Sequence, residues 1–125
     1  MSANDDQTSQ VSYFVTVRTF GCKAVFHEEA HAEQLVELME MVRREEGFSK
    51  YAYAVLPDHY HVLLGGKTNS GSVADLIMTL NRAAEVVMEL PDDGQPLWDA
   101  ESDVLVLYTP KTRIEKLNYI HNKPV

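Results

Sequence analysis

Cys22 is the only cysteine in the chain. A disulfide within the chain and a cysteine-built zinc site are therefore both excluded, so any bound metal must rest on nitrogen and oxygen donors; this usage suits a reducing cytoplasm, the expected location. Long apolar runs are missing too. None approaches the ~18 residues that a membrane span needs, and Met1 to Gln10 is polar rather than a basic segment leading into an apolar one. Neither a membrane span nor a signal peptide is expected. Positive charge is the third shortage, with 11 Lys and Arg against 19 Asp and Glu for a net charge of −8. That balance opposes nonspecific coating of nucleic acid, whose affinity comes largely from cations on phosphates. The shortage is uneven, because residues 111–125 hold Lys111, Arg113, Lys116 and Lys123 against Glu115 alone, a local +3 beside −11 in residues 1–110. The acidic residues gather in 28–46 and 92–103 and read as solvated faces turned away from any polyanion.

What is present fits one domain. The 125 residues are 45% hydrophobic, with no repeat and no low-complexity segment, and residues 1–10 read as a disordered leader to a single domain over 11–125. Tyr13 to Arg18 is rich in aromatic and β-branched residues and predicts a first strand, ended by a turn at Gly21. Glu28 to Glu46 carries Leu35, Leu38, Met39 and Val42 at helical spacing, stopped by Gly47. Tyr51 to Leu56 and His59 to Gly65 predict two strands joined at Pro57-Asp58 as a hairpin. A loop follows, then Ser72 and Asp75 resemble a capping box for a helix running to Pro91, whose stripe of Val73, Leu76, Ile77, Leu80, Ala84, Val87 and Met88 reads as core. Val104 to Tyr108 predicts the fourth strand. Thr109-Pro110 opens a last helix to about Asn122. This order is the plan of an α+β, ferredoxin-like sandwich with an antiparallel sheet and one added C-terminal helix.

The third strand carries the chemistry. In an extended chain side chains alternate, so His59, His61 and Leu63 share one face while Tyr60, Val62 and Leu64 share the other. Two imidazoles at i, i+2 on a stiff strand suit one divalent cation. They equally suit two sheet-surface histidines satisfied by water or a carbonyl, so a second element must decide. On the last helix, at ~100° per residue, Ile114, Leu117, Ile120 and His121 form one stripe, read as buried. Tyr119 falls outside it, among Glu115, Asn122 and Lys123. A phenol there is available for chemistry or for an ordinary surface hydrogen bond.

Taken together, Ala54-Val55-Leu56-Pro57-Asp58-His59-Tyr60-His61-Val62-Leu63-Leu64 and Asn118-Tyr119-Ile120-His121-Asn122-Lys123-Pro124-Val125 resemble the single-tyrosine HUH transposases, the REP-associated tyrosine transposases of bacteria in particular. The opening Tyr13 to Thr19 followed by Val25-Phe26, and Trp98-Asp99 before the last segments, are similar to that family as well. The resemblance runs from about Tyr13 to Val125. It implies an enzyme that cuts and joins single-stranded or hairpin DNA, with His59 and His61 holding Mg²⁺ or Mn²⁺ and Tyr119 attacking the phosphate to leave a 5′-phosphotyrosine. A homodimer is left open by the same resemblance.

The sequence departs from the pattern at three places. Lys123 stands where relatives often supply Gln or Asn as a third metal ligand, and a protonated amine cannot ligate. Asn122 and Glu115 are the candidates to replace it. Asp58 stands where relatives commonly have Asn, either as a plain turn residue or as a carboxylate orienting an imidazole. The sequence ends at Val125, where relatives usually continue, so a DNA-contacting tail is not expected here. Arg18, Lys67, Arg82, Lys111, Arg113, Lys116 and Lys123 are the candidate phosphate contacts. The departures leave a second reading open, a relative that binds hairpin DNA without cutting it.

Overall fold

The computed structural model describes residues 11–65, 73–88, 90 and 94–121. The expected leader, Ser72, Pro91 and the candidate residues Lys67, Asn122 and Lys123 lie outside them. In chain order the elements are β1 (Ser12–Arg18), α1 (Glu29–Glu46), β2 (Ser49–Leu56), β3 (His59–Gly65), α2 (Val73–Val87), β4 (Asp103–Leu107) and α3 (Pro110–His121), with two short 3₁₀ turns between β1 and α1. The sheet order is β2-β3-β1-β4 and every neighbouring pair is antiparallel. That is the expected ferredoxin-like arrangement. β2 starts two residues before the predicted strand, because Gly47 closes α1 in the left-handed conformation (φ 82°) and returns the chain directly to the sheet.

Alternation along the strands sorts the core into two layers. On one face Val15, Val17, Tyr60, Val62 and Leu64 pack with Leu35, Leu38, Met39 and Val42 of α1 and Leu76, Ile77, Leu80 and Ala84 of α2. On the other, Phe14, Ala52, Leu63 and Leu107 pack with Ile120 and Leu117 of α3. The second layer is small, so α3 covers only part of its face. The other part is open.

Tyr60 ties the large layer together. It is fully buried, its hydroxyl donates to Asn81 Oδ1 at 2.8 Å, and burial pushes its ionisation well above the ordinary value of 10. Trp98 meets Tyr60 edge-on at 5.5 Å, stacks on Phe26 at 5.7 Å and donates Nε1 to the Asn81 carbonyl at 3.0 Å. Tyr60→Phe removes one buried hydrogen bond without a cavity, so urea denaturation should show a loss of about 1 kcal/mol.

The last helix is turned relative to the sequence expectation. Ile114 is 54% exposed and His121 is exposed, whereas Thr112, Arg113, Lys116 and Leu117 are half-buried and Ile120 is buried. The stripe facing the sheet is thus 113, 116, 117 and 120, a proper i, i+3, i+4, i+7 set rich in long cations whose stems cover apolar surface. Tyr119 lies at its edge rather than on a separate face.

Candidate active site

The β1–β3 register sets Arg18 opposite His59, Thr16 opposite His61 and Phe14 opposite Leu63. All of these point to the α3 side of the sheet. Where α3 stops covering that side, a cleft of about 440 Å³ opens, lined by Phe14, Thr16, Arg18, His59, His61, Lys116 and Tyr119. The two histidines that share a face by alternation and the tyrosine of the last helix therefore meet in one place, within one chain.

Each imidazole is held through Nδ1. His61, 5% exposed, has its Nδ1 2.9 Å from the Thr16 hydroxyl and its ring stacked on Phe14 at 5.1 Å. His59 has its Nδ1 2.7 Å from Asp58 Oδ1, and this hydrogen bond holds the Asp58 carboxyl below its ordinary 3.8. The two rings lie 4.9 Å apart, edge to face. A carboxylate only accepts, so Nδ1 of His59 is the donor in this pair.

Tyr119 is 44% exposed, and its ring is anchored edge-on to Phe14 at 6.0 Å and to His61 at 5.9 Å. Lys116, one turn earlier on α3, carries its ammonium 4.9 Å from the Phe14 ring centre and 5.5 Å from that of Tyr119. Arg18 closes the opposite side and pairs with Asp103 at 2.9 Å. A phosphate entering the cleft would meet two cations, two imidazoles and a phenol.

The donor chemistry fits a divalent ion held by two imidazole nitrogens, with oxygen of water or phosphate filling its remaining positions. Among the described residues no third protein ligand is brought in. Glu115 is exposed and does not line the cleft, and among the described residues no group of three or more His, Cys, Asp or Glu side chains is placed to hold a metal. Of the candidate phosphate contacts, Arg18 and Lys116 line the cleft. Lys111 and Arg113 on α3 do not, and Arg82 lines a separate cleft with Asn81, Trp98 and Asp99. Thr16 and Phe14 escaped the sequence reading, although both alternate with Arg18 on β1 and so share its face.

Solved structures share this fold. A REP-associated tyrosine transposase bound to a REP hairpin superposes over 88% of this chain with a TM-score of 0.74 at 16% identity. The chain has the fold of that transposase. It spans 64% of that protein's length. A Deinococcus radiodurans R1 protein, classed provisionally as a transposase, is similar at 25% identity and a TM-score of 0.63, with 90% of each chain covered. Neither a protein-family model nor a curated protein matches the sequence. No helix among the described residues is long and apolar enough to cross a membrane.

Proposed function

We propose that the chain is a transposase-type enzyme that cuts and rejoins single-stranded DNA folded into hairpins, acting in the cytoplasm through a 5′-phosphotyrosine on Tyr119. The observation that carries the reading is the Tyr119 ring 5.9 Å from that of His61 in a cleft also lined by Arg18 and Lys116. In the step, Tyr119 Oη forms a bond to phosphorus as the bond to the 3′ oxygen breaks, and the phenol proton leaves overall with that oxygen as a 3′-OH. One phosphodiester replaces another, so a later 3′-OH can attack Tyr119-linked phosphorus and rejoin strands without an outside energy source. His59 and His61 would hold Mn²⁺ or Mg²⁺, which supplies Lewis-acid polarisation of the phosphate when bound. Arg18 and Lys116 bind the phosphate oxygens and offset the charge that builds there. A homodimer is not needed to join Tyr119 to the histidines.

A second reading, hairpin binding without cleavage, is favoured by the lack of a third protein ligand among the described residues. Incubation of labelled hairpin oligonucleotides with Mn²⁺ or Mg²⁺, followed by a denaturing gel, separates the two. A covalent band that a chelator removes supports the nuclease; metal-independent binding with no such band supports the second reading.

A further inference from the structure

The turn between β2 and β3 presents an acceptor to His59 from a backbone that is fixed independently. Thr19, 2% exposed, donates its N–H to the Asp58 carbonyl at 2.9 Å, and its hydroxyl proton is shared between the Lys23 carbonyl at 2.7 Å and that of Asp58 at 3.1 Å. The preceding Pro57 carbonyl accepts from the Phe26 N–H at 2.9 Å. The Asp58 main chain is thus pinned from the β1 side, and its side chain is left to do something else. It reaches His59 Nδ1 at 2.7 Å.

We infer that Asp58 is a positioning residue that fixes the His59 proton on Nδ1 and so turns the Nε2 lone pair toward the cleft; this rests on the reading of His59 and His61 as metal ligands. In a free neutral imidazole the proton favours Nε2, the nitrogen that a metal would need. Placing a carboxylate at Nδ1 reverses that preference, fixes the ring plane and makes Nε2 a better donor. At His61 the contact to Nδ1 is the Thr16 hydroxyl, which can donate as well as accept, so that contact alone does not set a tautomer. The two Nδ1 contacts are therefore not equivalent, and the one at His59 is with a group that can only accept.

The test uses the full chain, Asp58→Ala and Asp58→Asn. Long-range ¹H–¹⁵N spectra of the metal-free proteins report the His59 tautomer directly, and calorimetric titration with Mn²⁺ reports affinity without any turnover. Asp58→Ala should move the His59 proton to Nε2 and weaken Mn²⁺ binding about 10- to 100-fold, with thermal stability nearly unchanged because the turn is held by Thr19. Asp58→Asn, whose amide oxygen accepts the same hydrogen bond, should keep the Nδ1–H tautomer and stay within about threefold of the parent. If Asp58→Ala retains both the Nδ1–H tautomer and the parent affinity, the inference is overturned. If the parent binds no Mn²⁺, or binds it equally after His59→Ala, the metal-site reading fails instead. The metal-free spectra then decide the role of Asp58, upheld by loss of the Nδ1–H form in Asp58→Ala and overturned by its retention.

Discussion

Tyr119→Phe is expected to remove covalent capture of DNA while leaving folding and DNA binding intact. The ring makes the contacts to Phe14 and His61, and phenylalanine keeps the ring. What it loses is the hydroxyl proposed to attack phosphorus, so the rate of adduct formation should fall by a factor on the order of 10³ or more. A denaturing gel with labelled hairpin measures that rate, and a gel shift with a thermal melt measures the rest. A variant that still captures DNA would mean that another nucleophile is at work. One that no longer binds would mean that the phenol, rather than Arg18 and Lys116, grips the strand.

Leu63→Ala should act on both stability and activity. Leu63 is fully buried in the small layer with Phe14, Ala52, Leu107 and Ile120, the layer that docks α3. Truncation leaves a cavity where there are few other contacts, so about 2–5 kcal/mol of stability should be lost. The loss falls on the layer that meets α3, whose own buried residue is Ile120. Leu35→Ala is the control: Leu35 is equally buried, on α1 in the large layer, and its truncation is expected to cost a similar amount. At a temperature where both variants remain folded, Leu63→Ala should form adduct more slowly while Leu35→Ala keeps the parent rate. Equal rates in the two would mean that docking of α3 does not position Tyr119.

The strands were legible because their signal is local. The period-2 pattern of β3 places His59 and His61 on one face and Tyr60, Val62 and Leu64 on the other, and the antiparallel register with β1 keeps that sorting. The helix α1 was legible for the same reason, from Leu35, Leu38, Met39 and Val42. α3 was not, because it has few apolar residues to mark a stripe and much of its sheet-facing surface is made by Arg113 and Lys116. Periodicity cannot distinguish a cation that lies over a ring from one that points to water. Thr16 was hidden for a different reason: its role depends on a hydrogen-bond partner on another strand, which leaves no pattern in spacing. Asp58 was in view, but the choice between a plain turn residue and a carboxylate orienting an imidazole depends on a side-chain direction at a turn, which spacing does not show.

Glu115 shows the limit of a helical wheel from the other side. It falls near Tyr119 in projection, yet the cleft lies toward Lys116 and the sheet, and Glu115 is exposed away from its lining. Proximity on a wheel says which residues share a face of one helix. It does not say what faces them.

The atom that carries the DNA decides the proposed mechanism most directly. Adduct formed on a hairpin oligonucleotide with Mn²⁺ can be trimmed with nuclease, digested with trypsin and read by mass spectrometry. A nucleotide joined through its 5′-phosphate to the peptide containing Tyr119 is the expected result. A nucleotide on any other residue, or a 3′-phosphate linkage, would contradict it.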